Sequence, residues 1–452
     1  MPAFNLFLQA FPRLPVNILH YLHHFALYIG GAAYEAWPSS RQGFGELVVF
    51  VGVFPLLLSV FWSSSALYSV VRSYFPRRKR PREMSELPSF SILIPFFGDT
   101  QHLDQTVASL QCVSPAPEQI VLIDDGSPSG GGADDLLTNP KVRLIRLEHN
   151  VGKAEALNRA LRTVHSDIVV CLDSDTIAAT TDWSSMLHQF ADDSGLGAVT
   201  GKIWPTAIRN GAQLIQAIDY LAVICLVKSA EALWGGLTTV SGAWVAYRRE
   251  ALEDCGGWNV KTSAEDIDVS WRLQSRGWRI WYDPAWTARI EMAPSWASLW
   301  RQRRRWSSGL GRTMREQLFD ALGAKARHLP MAFIAVMSII WVGFVLTVMG
   351  VGAAALLMHH GFIFLGMFPA ADWNSHWSQC TEAFLVQFLA AMTADDGGWR
   401  RYPLLLLCAA FYPLYFWIIL FSSFVVGFPQ GFCQLDSGRW RATAGQRDEA
   451  LA

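Results

Sequence analysis

Charge is scarce in this chain: Asp, Glu, Lys and Arg make up 17% of its 452 residues, against 51% apolar residues. The formal net charge of −1 leaves no global field to gather nucleic acid or an acidic polymer, so a nucleic-acid polymer is not an expected partner. Its seven cysteines, Cys112, Cys171, Cys225, Cys255, Cys380, Cys408 and Cys433, form no CxxC pair and no regular framework. That pattern excludes a zinc ribbon and a disulfide scaffold, and it fits thiols kept reduced in a cytoplasmic soluble part. The GxxxxGK-Ser/Thr spacing is missing, which excludes a P-loop. Around Asn17 to Trp37 there is neither a basic leader nor a small-residue cleavage site, so a removed signal peptide is not expected there.

What the chain does have is long uncharged stretches. Leu47 to Tyr74 exceeds the ~20 residues a helix needs to cross a bilayer. The run Pro76-Arg77-Arg78-Lys79-Arg80-Pro81-Arg82 follows at once, and the positive-inside rule puts that end in the cytoplasm. Leu329 to Met358 and Tyr402 to Phe428 are two further candidates for spans. Asn17 to Trp37 is a weaker one, because three histidines and Glu35 are costly in lipid. Gly361 to Phe368 and Ala383 to Met392 are apolar but short. Arg439, Arg441 and Arg447 favour a cytoplasmic tail. The expected organisation is a membrane region of one or two helices (1–75), a basic linker (76–87) and a soluble domain (88–292). Interfacial helices (293–328), C-terminal membrane helices (329–430) and a tail (431–452) follow.

Within the soluble domain, Phe90 to Pro95, Ile120 to Ile123, Val142 to Ile145 and Ile168 to Leu172 read as buried strands. Helical patterns at Leu103 to Leu110 and Gly152 to Val164 separate several of them. Short apolar strands alternating with helices predict a parallel sheet covered on both faces, with ligands beyond the carboxyl ends of its strands.

Five motifs could carry chemistry, and two acidic ones sit at such strand ends. Asp124-Asp125-Gly126-Ser127 follows the second strand and reads either as a turn or as a ligand contact. Asn150-Val151-Gly152-Lys153 leads into a helix, whose N–H groups and lysine suit a phosphate; plain capping fits equally well. Asp173-Ser174-Asp175 ends the fourth strand, where two carboxylates can share Mg²⁺ or Mn²⁺ with substrate phosphates. Glu265-Asp266 opens an amphipathic stretch; Asp266 fits a capping box with Ser263, and it also fits a general base. Gln302-Arg303-Arg304-Arg305-Trp306 lies in an expected helix beginning near Pro294. Gln302, Arg305 and Trp306 share one face there, which suits a diphosphate and a sugar ring. Trp296, Leu299 and Trp300 are expected to lie at the membrane interface.

Taken in order, these motifs and the segment Ser241-Gly242-Ala243 resemble processive family 2 glycosyltransferases over about Ser91 to Trp306. That family includes cellulose, hyaluronan, chitin-oligosaccharide and poly-N-acetylglucosamine synthases. The stretches Ala198 to Gly201, Thr239 to Gly242, Tyr247 to Arg249, Glu265 to Gln274 and Gln302 to Trp306 look most like bacterial poly-β-1,6-N-acetylglucosamine synthases. The resemblance implies an α/β nucleotide-sugar-binding domain of GT-A-like fold facing the cytoplasm, carried on interfacial and transmembrane helices of the bacterial inner membrane.

By resemblance, Asp125, with Asp124 behind it, contacts the uridine of a UDP-sugar, and Lys153 lies near the diphosphate. Asp173 and Asp175 hold the diphosphate and a Mg²⁺ or Mn²⁺ ion, Asp175 being the direct ligand. Asp266 is the base, and Glu265 orients it or the acceptor. Trp306 stacks on the growing polysaccharide, and Gln302 and Arg305 bind the diphosphate. The expected reaction is polymerisation of N-acetylglucosamine into a β-linked exported polymer. Hyaluronan-, chitin- or other β-glycan synthesis, or transfer of one sugar to a lipid phosphate, are the alternatives. Membrane lipid, a small membrane partner subunit and cyclic di-GMP are the further partners implied. Three positions depart from the pattern: Pro95-Phe96-Phe97-Gly98-Asp99 stands where an Asn-Glu pair is frequent, Ser174 where alanine or glycine is usual, and Ser307-Ser308-Gly309-Leu310 where Ala-Gln-Gly-Gly is common.

Overall fold

The computed structural model describes residues 87–98, 102–128, 130–233, 236–323 and 411–434, with short helical pieces near 60–68, 336–346 and 387–391. Asn17 to Trp37 and most of Leu47 to Tyr74, Leu329 to Met358 and Gly361 to Phe368 lie outside the described residues, as do Ala383 to Val386 and Tyr402 to Ala410. Among the described residues no helix is long and apolar enough to cross a membrane.

The first half of the domain alternates strands with helices as the apolar runs dictate. It runs β1 (Phe90–Phe96), α1 (Leu103–Leu110), β2 (Gln119–Asp124), a 3₁₀ segment (Gly130–Thr138), β3 (Val142–Arg146), α2 (Lys153–Leu161) and β4 (Ile168–Leu172). These four strands pair in parallel, β3 to β2, β2 to β1 and β1 to β4. β1 shows why its sequence is apolar throughout. Phe90, Ile92, Ile94 and Phe96 enter one core with Leu103 and Val107 of α1, while Leu93 enters a second core with Leu157 and Ala160 of α2. Side chains alternate between faces along a strand, so a strand covered on both faces has no polar side to show.

The second half departs from the expected parallel sheet. After β5 (Ile177–Ala178) and α3 (Ser184–Asp192) comes β6 (Leu196–Pro205). A helical stretch follows, α4 (Gly211–Asp219), a π-helical turn (Tyr220–Cys225) and α5 (Leu226–Leu233). Then come β7 (Trp244–Arg248), α6 (Arg249–Asp254), α7 (Glu265–Ser275) and β8 (Arg279–Ile290). The sheet order is β3-β2-β1-β4-β7-β6-β8-β5, and β7 runs antiparallel to both β4 and β6. The sheet is therefore mixed. Trp183, Trp244 and Trp286 close its core, with ring centroids 4.3–5.5 Å apart. Truncating one such buried ring to alanine costs about 3–5 kcal/mol.

The expected helix near Pro294 is α8 (Trp296–Gly323), 28 residues long. It packs against the C-terminal run α9 (Tyr412–Tyr415), a π-helical turn (Phe416–Phe421) and α10 (Ser422–Phe432). Glycines set this contact. A Cβ on Gly311 would overlap the Phe428 carbonyl, one on Gly427 the Arg304 carbonyl, and one on Gly431 the Ser308 carbonyl. The interfacial surface expected of Trp296, Leu299 and Trp300 is reduced to Trp296, which is 49% exposed. Leu299 is buried in a core, and the Trp300 indole N–H donates to Ser422 Oγ at 3.0 Å.

Candidate active site

Asp124, Asp125, Lys153, Asp173, Glu265 and Asp266 come together past the carboxyl ends of β2 and β4, where two helices also begin. Asp124 ends β2, and its Oδ1 accepts from the Ser127 N–H at 2.9 Å, closing the turn. Asp125 is fully buried. Its Oδ1 accepts from the Val151 N–H at 2.8 Å and its Oδ2 from the Gly152 N–H at 2.9 Å. Those two amides, expected to face a phosphate, are taken by this carboxylate instead. Gly152 has φ +95° and Gly126 φ +77°, and a Cβ on Gly126 would overlap the His149 backbone. Only glycine lets the two loops lie this close.

Lys153, the first residue of α2, reaches across the site. Its Nζ lies 2.5 Å from Asp173 Oδ1 and 3.1 Å from Glu265 Oε1. Burial opposes the ammonium charge, but Asp173 and then Glu265 outweigh it, so the pKa stands above the usual lysine value. The lysine thus bridges the β4 end and the α7 start. Asp173 follows β4 and keeps a 41% exposed side chain. Asp175, two residues on, is pushed up to about 7 by burial and by Asp173. A desolvated carboxylate beside another carboxylate is the environment a divalent cation relieves, and Mg²⁺ or Mn²⁺ needs few protein oxygens when phosphates and water complete its shell. Asp173 and Asp175 fit such an ion on these grounds. Among the described residues, no group of three or more His, Cys, Asp or Glu is placed to hold a metal ion.

Glu265 and Asp266 form the first turn of α7, where the helix dipole favours negative charge. The capping box does not form. The N-cap is Ala264 with no side-chain cap bond, and Ser263 Oγ donates to the Arg305 carbonyl at 3.4 Å. Asp266 Oδ2 accepts from the Gly242 N–H at 3.2 Å and its Oδ1 from the Ile267 N–H at 2.9 Å. Burial and then Glu265 raise its pKa, while Lys153, the Gly242 amide and Arg305 pull it back. A carboxylate so tuned accepts a proton more readily than a solvated aspartate.

The Ser241-Gly242 turn that holds Asp266 is itself anchored. The Ser241 N–H donates to Thr200 Oγ1 at 3.0 Å, and Lys228 Nζ donates to Ser241 Oγ at 2.5 Å. Lys228 is lowered to about 8 by burial, and Glu231, one helical turn away, is raised to about 7 by burial. Sequence reasoning missed Lys228 and Thr200, because nothing local marks them; only the fold of α5 and β6 brings them under the turn.

On α8, Gln302 is half-buried with its Oε1 unpartnered, Arg305 is exposed and its Nη1 donates to the Ser263 carbonyl at 2.9 Å. Trp306 is half-buried against the sheet core. The residue the motif reading missed is Arg303. It is buried, its Nη2 lies 2.7 Å from Asp219 Oδ2, and its guanidinium carbon sits 4.2 Å from the Trp306 ring centroid.

Residues 88–309 match the family model described as glycosyltransferase like family 2. A poly-β-1,6-N-acetyl-D-glucosamine synthase of Staphylococcus aureus (strain COL) is 28% identical over 397 residues, 84% of this chain and 93% of that protein. One from Staphylococcus epidermidis is 26% identical over 398 residues, with the same coverage of 84% and 93%. A mannosyltransferase from Pyrobaculum calidifontis, solved with GDP-Man and Mn²⁺, aligns with a TM-score of 0.52 at 16% identity, covering 85% of this chain and 99% of that one. That likeness shows the GT-A-like α/β fold with its mixed sheet. The chain is thus similar, over residues 88–309, to the family 2 glycosyltransferases and, over most of its length, to poly-β-1,6-N-acetylglucosamine synthases.

Proposed function

We propose that this enzyme is a processive, inverting synthase of the bacterial inner membrane that polymerises N-acetylglucosamine from UDP-N-acetylglucosamine into a β-linked polysaccharide and exports it. The observation that carries the reading is Asp266: a half-buried carboxylate in the first turn of α7, held by the Gly242 amide and next in sequence to Glu265, which with Asp173 binds Lys153. The relatives of 28% and 26% identity support the sugar and the polymer.

In this reading Asp124 and Asp125 shape the uridine pocket, and Lys153, Gln302 and Arg305 face the diphosphate. Asp173 and Asp175 would hold Mg²⁺ or Mn²⁺, which supplies charge neutralisation to the diphosphate as it leaves. An acceptor hydroxyl oxygen attacks the anomeric carbon opposite the UDP. The new C–O bond forms as the bond to the diphosphate breaks, and UDP departs with that electron pair. The hydroxyl proton passes to the Asp266 carboxylate. Attack from the opposite face turns an α-linked donor into a β-linked product. Glu265, held by Lys153, steadies the base, and Trp306 offers the acceptor sugar a stacking surface.

The test is a donor screen on the full chain in lipid vesicles, with labelled UDP-sugars one at a time, Mg²⁺ or Mn²⁺, and cyclic di-GMP present or absent. The expected result is high-molecular-weight product from UDP-N-acetylglucosamine alone, cut by a β-1,6-specific glycosaminidase. A lipid-extractable product carrying one sugar, with no polymer, would overturn the polymerase reading.

A further inference from the structure

The Trp306 ring is not positioned by packing alone. Arg303 lies one helical turn before it on α8, and its guanidinium covers one indole face at 4.2 Å. A second ring, Tyr220, lies 5.8 Å from the same guanidinium. The cation is fixed by Asp219, the last residue of α4, through the 2.7 Å contact to Nη2. Asp219 is fixed in turn from the C-terminal run: Tyr412 Oη donates to its Oδ1 at 2.5 Å and Tyr415 Oη to its Oδ2 at 3.3 Å. Asp219 and Arg303 are only 3% and 4% exposed. Their charges are retained in a site where an apolar pair would usually be no less stable. Asp219 and Tyr220 also sit where α4 gives way to a π-helical turn, a rare geometry found frequently at functional sites.

We propose that Arg303 is a positioning residue for the acceptor: with Asp219 it holds the Trp306 indole from one side, so that a sugar stacks only on the other. The inference rests on the acceptor role given to Trp306 above. It adds that the α9 tyrosines, through Asp219, set the orientation of the acceptor platform. Guanidinium matters here beyond its charge, since a planar cation stacks on an indole and a lysine ammonium does not match that geometry.

The experiment compares full-length wild type, W306A, R303K and R303M in lipid vesicles. It measures KM for β-1,6-linked N-acetylglucosamine oligomers, kcat, product length, and UDP affinity by titration. R303K keeps a cation beside Asp219 and is the variant expected to fold normally. The expected result is an acceptor KM raised about tenfold in R303K and more in R303M, with shorter products and UDP affinity within about twofold of wild type. If W306A leaves the acceptor KM unchanged, the acceptor role of Trp306 falls and this proposal falls with it. If W306A raises acceptor KM and R303K does not, this proposal alone is overturned. UDP affinity lost in step with acceptor KM in R303K would also overturn it, because that is the signature of a general structural role.

Discussion

Replacing Gly242 with alanine tests whether Asp266 has to sit where it does. An added Cβ would lie 3.0 Å from Asp266 Oδ2, 3.1 Å from its Cβ and 3.3 Å from its Cγ. Gly242 is not in the left-handed region, so the substitution probes the contact rather than the backbone. Contacts this tight force the neighbour to move by a few tenths of an ångström. The carboxylate would be displaced, and its 3.2 Å bond from the Gly242 N–H would be strained at the same time. Since a misplacement of about 1 Å can cost roughly a hundredfold in rate, a shift of a few tenths should lower kcat on the order of tenfold. The cost in stability should stay near about 1 kcal/mol, the low end for mild overpacking. The assay is single-turnover transfer in vesicles, with UDP affinity and melting temperature measured in parallel. A G242A enzyme with wild-type kcat would refute the reasoning, because it would mean that the base is elsewhere or tolerates displacement.

Three further outcomes follow from the same geometry. Because burial and Glu265 raise the Asp266 pKa and the base acts when deprotonated, kcat should fall as pH drops through a range above the ordinary aspartate value of 3.8; a kcat that stays flat well into the acid range, down to that value, would contradict this. Lys153→Met removes the cation from between Asp173 and Glu265, which should cost about 1–2 kcal/mol in melting experiments, since Asp173 stays partly solvated, and abolish transfer, whereas a wild-type melting temperature would show that the bridge is not structural. Gly431→Ala puts a methyl group onto the Ser308 carbonyl and should destabilise the α8–α10 contact by roughly 2–3 kcal/mol, read as a lower melting temperature with UDP affinity retained at low temperature.

The strands most legible in the sequence were those buried on both faces. Ile168–Leu172 and the helix Leu103–Leu110 match their expected bounds residue for residue, and β1, β2 and β3 differ by one or two positions. Their uninterrupted apolar runs admit few other placements. β8 was not legible, because Arg279–Ile290 mixes exposed and buried positions and pairs with β6 from a distant part of the chain. The Asp124 and Asp173 motifs were legible as strand ends, whereas the Lys153 and Asp266 motifs open helices that only the fold brings beside them. Their partners were not legible. The two oxygens of Asp125 hold the Val151 and Gly152 amides, partners that spacing does not announce. Ser263 fits a capping box by spacing, yet Ala264 is the cap. Arg303 is one of four arginines in a basic run, and only the arrival of Asp219 from α4 separates it from its neighbours.

The most direct test of the account is Asp266→Asn, a substitution that keeps the shape of the side chain and removes its ability to take a proton. Transfer from UDP-N-acetylglucosamine should drop by a factor of at least about 10², with UDP affinity and melting temperature close to wild type. An Asp266→Asn enzyme that binds UDP normally and still elongates polymer at near wild-type rate would contradict the assignment of the base, and with it the inverting mechanism built on that residue.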